Sequence, residues 1–193
     1  MTECTTLGKG RLRFHLDNGT ELVLYRGEAK QFRMREGSTL SDEEEHQLIY
    51  EVVGKRAKRR TMHLLEQMDR TEQQLREKLK QGGYPQACID LALEYVKSFH
   101  YVDDYRYACT YINYRQDRMS RYQLKVKLYG KGVSGELVDR ALEECYEGDE
   151  QDQIIRLLEK KKFDAQNSDP KEFTRVYQYL MRRAFGAMMC CVL

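Results

Sequence analysis

Tryptophan is absent and proline occurs only twice, so little in this chain interrupts a helical backbone. No apolar run is long enough to cross a bilayer, which excludes a transmembrane helix. The opening residues, Met1-Thr-Glu-Cys-Thr-Thr, lack the basic start and apolar stretch of a secretory signal. The protein is therefore expected in the cytoplasm. Cys4, Cys88, Cys109, Cys145, Cys190 and Cys191 show no disulfide-framework spacing and are read as reduced. Cys88, Cys109 and Cys145 also fall on apolar helical positions, where a thiol acts as a small hydrophobe.

Catalytic patterns are missing too. His15, His46, His63 and His100 are scattered, with no His-x-x-x-His or Cys-x-x-Cys spacing for a metal. Gly82-Gly83 ends a helix and is not followed by the Lys-Ser/Thr of a phosphate loop. Asp103-Asp104 stands at a helix start, where carboxylates serve as cap and dipole partners. No catalytic, cofactor-binding or metal-binding residue is assigned, and the chain reads as a binding protein and not an enzyme.

What is present is charge and helix pattern. Hydrophobic residues make up 41% and charged residues 33%, a balance that suits thin modules with much exposed area. The net charge of +2 is near neutral, so any attraction for an acidic partner must come from local clustering.

Arg11-Leu-Arg-Phe-His-Leu and Glu21-Leu-Val-Leu-Tyr alternate on either side of Asp17-Asn18-Gly19, which predicts a β-hairpin. Lys30-Gln-Phe-Arg-Met is expected as a third strand, after a turn at Arg26-Gly27. Ser41 with Glu44 forms a capping box that opens a helix through about Gly54.

From Lys55 onward the chain repeats itself. Thr71-Glu-Gln-Gln-Leu75-Arg-Glu-Lys-Leu79-Lys-Gln-Gly-Gly83 returns as Ser120-Arg-Tyr-Gln-Leu124-Lys-Val-Lys-Leu128-Tyr-Gly-Lys-Gly132, at an offset of 49 residues. Ile89-Asp-Leu-Ala-Leu93-Glu94 likewise falls on Val138-Asp-Arg-Ala-Leu142-Glu143. A weaker third copy starts at Asp169-Pro-Lys-Glu172, with Val176 and Leu180 as its leucine positions and a short last helix before Leu193. Each copy reads as three helices. In the second, Tyr101, Tyr105, Ala108 and Ile112 stripe the first helix, Ser120 caps the next, which stops at Gly132, and Ser134 opens the third.

The expected fold is mainly α: tandem three-helix repeats stacked as an elongated, curved solenoid, behind a small N-terminal sheet. Its boundaries are 1–54 for the β-rich region with a helix, then 55–100, 101–148 and 149–193 for the repeats.

These residues resemble the RecX family, regulators of the RecA recombinase. The resemblance is carried by Val102-Asp-Asp-Tyr-Arg-Tyr-Ala108, Arg115, the Leu124 and Leu128 pair, and Lys131-Gly-Val133. In the first copy it rests on Leu64-Leu65 and Met68-Asp-Arg-Thr71. It extends from about Lys55 to the C-terminus and is strongest over Met68–Glu144. Val102 replaces the family's usual Leu, the third unit ends early, and the N-terminal hairpin belongs to a region that varies. The resemblance implies a cytoplasmic regulator in DNA repair, recombination and the SOS response. Such a protein lies in the groove of the RecA–single-stranded DNA filament and restrains ATP turnover, strand exchange and coprotease activity.

Basic clustering supplies the candidate contacts. Arg115, Arg118, Arg121, Lys125, Lys127 and Lys131 stand against Asp117 alone. Lys55, Arg56, Lys58, Arg59 and Arg60 form a second block, Arg182-Arg183 a third, and Arg70 belongs to the first-copy motif. Of these, Arg59, Arg60, Arg70, Arg115, Arg118, Arg121, Lys125, Lys127, Lys131, Arg182 and Arg183 are assigned to partner or DNA contact. The plainer reading of each patch is a solvated helix face. Tyr105 is expected in the core; Tyr107, Tyr114 and Tyr122 lie off the apolar stripe, and a place at an interface is the lesser of their two readings. The partners implied are a RecA filament and single- or double-stranded DNA, with no membrane, and a monomer is the default state.

Two other functions fit some of these features. A helix-turn-helix DNA binder would use the helix after Gly132, but Glu136-Leu-Val-Asp-Arg-Ala-Leu-Glu-Glu is acidic where a recognition helix is basic. A general helical interaction scaffold is the other.

Overall fold

The computed structural model describes residues 3–17, 19–164, 167–183 and 185. The chain forms two compact units, Met1–Asp103 and Asp104–Leu193.

The first unit opens with an antiparallel sheet of β1 (Glu3–Gly8), β2 (Arg11–His15) and β3 (Glu21–Tyr25), in that order. The expected hairpin is β2–β3, with Phe14 opposite Leu22 and Leu12 opposite Leu24. The third strand is β1, ahead of the hairpin and not after it. It joins β2 through Lys9 and Gly10, both at positive φ (49° and 73°), the backbone of a tight hairpin turn.

The expected strand at Lys30–Met34 does not form. Arg26–Gln31 is helix α1, because the Glu28 carboxylate accepts the Tyr25 N–H at 2.8 Å and starts a helical turn. Arg33 then takes φ 49° and the Met34 N–H donates to the Ala29 carbonyl at 2.8 Å. This Schellman closure turns Ala29, Phe32 and Met34 inward together, a grouping that a period-two strand would have split.

Ser41 forms the expected capping box with Glu44 at the start of α2 (Asp42–His46). The helix does not stop at Gly54. It passes through a π-helical segment, Gln47–Val53, directly into α3 (Gly54–Gln67). Gly54 is a close-approach residue instead of a terminator: a Cβ there would lie 2.8 Å from Leu91 Cδ2. The Ile49 carbonyl accepts the Gly54 N–H of the π turn and also the Cys88 thiol, the latter at 3.3 Å.

Helices α4 (Glu72–Gln81) and α5 (Gln86–Ser98) complete the first repeat. Thr71 caps α4 in a box with Gln74, and Gly83 at φ 76° reverses the chain after it. Leu64, Leu75, Leu79, Ile89, Leu93 and Val96 share one core with Phe14, Leu22 and Leu24 of the sheet.

The second unit contains α6 (Asp104–Arg115), α7 (Arg121–Tyr129), α8 (Gly135–Cys145), α9 (Glu150–Lys161) and α10 (Pro170–Arg182). Ser120 caps α7 with Gln123 as its box partner, and Gly132, the expected stop of this helix, takes a left-handed φ of 83°. The Gly132 and Val133 N–H groups close back onto Tyr129 and Leu128 at 2.9 and 3.2 Å. Ala108, Ile112, Leu124, Leu128, Val138, Ala141 and Leu142 form the core of the second repeat. Tyr101 lies ahead of α6 and is exposed, stacked on Phe99, so the stripe starts at Tyr105.

Asp169 caps α10 through the Glu172 N–H at 2.6 Å, with Pro170 as the first helical residue. Val176, Leu180, Ile154 and Phe185 form a separate small core. The expected short last helix lies outside the described residues, as do Cys190 and Cys191. Cys4, Cys88, Cys109 and Cys145 are free thiols, and burial pushes Cys88 up to about 11.

Candidate functional site

The cations singled out in the sequence fall into two groups once their neighbours are known. On α3, Lys55 pairs with Glu51 at 2.6 Å and Lys58 lies 5.1 Å over the Tyr95 ring. Arg56 is drawn inward, bonded to Glu28 and to the Val23 carbonyl at 2.5 Å each and flanked by the rings of Tyr25 and Tyr84. Only Arg59 and Arg60 of that block point to solvent without such an anchor. Arg70 is half-buried and donates to the Leu64 carbonyl at 3.4 Å, holding the step from α3 into α4.

In the second unit the same sorting applies. Arg115 lies 5.7 Å over Tyr111, and Lys131 lies 5.2 Å over the same ring and 5.8 Å over Tyr107. Lys125 forms a 2.5 Å ion pair with Asp139 on α8, whose hydrogen bond raises the ammonium pKa. These three are held by the second repeat itself. Arg118, Arg121 and Lys127 are exposed and make no ion pair among the described residues. Arg182 is exposed, while Arg183 is half-buried with its guanidinium 5.0 Å over Tyr179.

The turn that presents Arg118 is built by local hydrogen bonds. The N–H groups of Arg118 and Met119 both reach the Arg115 carbonyl at 3.0 Å, so α6 ends in a tight coil directly before the Ser120 cap. The Arg121 N–H, at the open start of α7, donates to Glu150 at 3.0 Å. Tyr105 is half-buried as expected, with its hydroxyl donating to Glu144 and Arg140 lying 4.5 Å over its ring. Tyr107 packs half-buried against the same core, whereas Tyr114 is 82% exposed and Tyr122 60% exposed. The outer face of α8 carries Glu136, Asp139, Glu143 and Glu144, which would repel phosphate and removes it as a recognition helix.

Family models described as the first, second and third three-helix domains of RecX match residues 57–95, 103–142 and 148–187. This chain belongs to the RecX family. It is 29% identical over 154 residues to the regulatory protein RecX of Caldanaerobacter subterraneus, covering 79% of this chain and 76% of that one. To the RecX of Geobacillus kaustophilus it is 31% identical over 159 residues, covering 80% of this chain and 59% of that protein. A solved structure titled as the regulatory protein RecX superposes with a TM-score of 0.64 at 19% identity, over 97% of this chain and 95% of that one. The RecX structure from Lactobacillus salivarius gives 0.63 at 16% identity, over 72% and 93%. At those identities the structural likeness shows the fold alone.

Within this RecX chain the motif residues are mostly structural. Val102 is buried in the first core, Ala108 in the second, and Lys131-Gly-Val133 closes α7. The relatives are named as regulatory proteins. No helix among the described residues is long and apolar enough to cross a membrane.

Sequence reasoning missed Arg156, Lys160 and Lys161 on α9. They share the stretch Glu150–Lys161 with three acidic residues, Glu150, Asp152 and Glu159, so the local charge balance hides them. Lys161 lies 4.1 Å over Tyr179, opposite a partner 18 residues away that no local pattern connects to it.

Proposed function

We propose that this protein binds the RecA–single-stranded DNA filament in the cytoplasm and restrains its ATP turnover, strand exchange and coprotease activity. The observation that carries this reading is the run of RecX three-helix domains along the chain. It acts as a monomer, by occupancy. Arg118, Arg121 and Lys127 offer exposed cations beside the second repeat, with Arg59, Arg60 and Arg182 as further exposed charges. Charge of this kind raises the rate of encounter with a polyanionic filament and makes it salt-dependent.

The test is the single-stranded-DNA-dependent ATPase of the host's RecA, with this protein titrated in at two salt concentrations. Inhibition at substoichiometric protein, relieved by salt, is the expected result. An unchanged ATPase at equimolar protein, with intact helical circular dichroism, would overturn the reading.

A further inference from the structure

Cys109 lies on α6 and Cys145 on the last turn of α8, two helices that pack directly against each other. Tyr105, Cys109 and Ile112 recur at i, i+4 and i+7, and so do Val138, Leu142 and Cys145. Each thiol therefore stands on the stripe that its helix turns to the shared core. From one turn before Cys109, Tyr105 reaches across to α8, where its hydroxyl donates to Glu144, the neighbour of Cys145. That contact fixes the register of the two helices where the sulfurs meet. The Cys109 and Cys145 thiols are hydrogen-bonded to each other, and the Tyr105 hydroxyl touches both.

The other described cysteines stand differently. Cys88 is fully buried and donates its thiol to the Ile49 carbonyl at 3.3 Å. Cys4 lies on β1, the outer strand of the sheet. Cys109 and Cys145 are half-buried, so a small reagent in water can reach them. Filling a core with small hydrophobes accounts for each thiol singly. It gives no reason for two of them to meet across a helix pair.

We infer that Cys109 and Cys145 form a reversible intramolecular disulfide that staples α6 to α8 when the surroundings turn oxidising. The co-reactant is a low-molecular-weight disulfide, RSSR. The Cys109 thiolate attacks one of its sulfurs, the RS–SR bond breaks, and one RS− leaves and takes up a proton. Cys145 then gives its proton to water, attacks Cys109 Sγ and expels the second RS−. Two protein thiols are oxidised to one disulfide, and one small disulfide is reduced to two small thiols. Burial pushes Cys145 up to about 11, so it rests protonated and takes the second step. There the contact with its target offsets a small thiolate fraction. The sulfurs must close from hydrogen-bonding range to ~2.05 Å, which χ1 rotation on two packed helices supplies. With α7 inside the closed loop, the bond constrains the unfolded chain of the second repeat.

The test moves the full chain from dithiothreitol into oxidised glutathione, caps remaining thiols with N-ethylmaleimide and maps a non-reduced tryptic digest by mass spectrometry. Cleavage after Arg106, Arg115, Arg140 and Arg156 leaves Cys109 on peptide 107–115 and Cys145 on peptide 141–156. The expected product is these two peptides joined, two hydrogens lighter than their sum, from a chain of monomer mass. Dithiothreitol should separate them. The oxidised chain should melt at least ~4 °C above the reduced one. Cys109→Ser and Cys145→Ser should each abolish both the joined peptide and the gain. The wild-type map needs no variant, so it decides the matter even if a serine variant fails to fold. Thiols left uncoupled, whether free or each carrying glutathione, would overturn the inference. So would a link from either to another cysteine, or equal melting of the two forms. The assay contains no RecA, so its outcome is separate from that of the ATPase test.

Discussion

The hydroxyl of Ser120 serves two helices at once. It accepts the Gln123 N–H at 3.3 Å as the cap of α7 and donates to the Arg183 carbonyl at 3.0 Å at the end of α10. The side chain is fully buried, so water cannot replace either bond. Ser120→Ala should therefore cost ~2 kcal/mol: the loss of a helix cap together with an unpartnered carbonyl. Chemical denaturation reads the loss, and Ser120→Thr should recover most of it. A midpoint unchanged in the alanine variant would show that the second bond carries nothing.

Gly83 and Gly132 occupy the same turn of the repeat, at φ 76° and 83°, yet they should respond differently to substitution. Gly132→Val carries the backbone strain of a β-branched residue in the left-handed region, about 1–3 kcal/mol. Gly83→Val adds a collision, because a Cβ there runs into the side chain of Val23 on β3. Thermal melts of both variants should rank Gly83→Val as clearly the worse.

Arg56 reads from sequence as part of a surface patch, but it joins β3, α1 and α3. Arg56→Ala leaves Glu28 half-buried without its 2.5 Å partner and the Val23 carbonyl without its donor. The expected loss is roughly 2–3 kcal/mol, below the range of a fully buried pair. Arg59→Ala, one residue on and exposed, should leave the melting temperature unchanged.

The first unit should be acid-sensitive in a defined direction. The Glu72 carboxyl is held below its ordinary pKa by the Lys97 hydrogen bond and then by Arg76, and the Asp90 carboxyl by Gln86 and Arg76. Because the folded values lie beneath the unfolded ones, the stabilisation is complete above the ordinary carboxylate range, roughly pH 4. It fades as pH falls through the folded values. Glu72→Gln should be less stable near pH 7 and should flatten the acid limb of the stability curve. A variant curve parallel to wild type would remove the claim.

Charge reversal on α7 should separate stability from binding. Lys125→Glu sets two carboxylates against each other across the α7–α8 pair and should lower the melting temperature. Arg121→Glu/Lys127→Glu, on the same helix, should leave the melt unchanged and weaken inhibition of the RecA ATPase. Wild-type inhibition by that double variant would reduce these residues to a solvated face.

The sequence by itself determined whatever is written in neighbouring residues. The caps at Ser41, Thr71, Ser120 and Asp169, the left-handed turns at Gly83 and Gly132 and the leucine pairs between them are local properties of the backbone. Each can be read within one or two helical turns. Lys30–Met34 defeated that reading because Phe32 and Met34 alternate like a strand, while the Schellman closure brings them into one cluster with Ala29, which a strand would turn to the other face. Gly54 defeated it because a glycine that ends a helix and one that admits a neighbouring helix look alike in sequence.

Tertiary structure alone decided which charges are free. Lys125 and Arg121 are equivalent as letters on α7, but Asp139 reaches only the first. Arg156 and Lys160 look balanced by the acids around them, yet folding turns them into a groove with Arg118 and Arg183. Coulomb attraction depends on distance through space, whereas charge counted along a chain ignores which side of a helix each residue occupies.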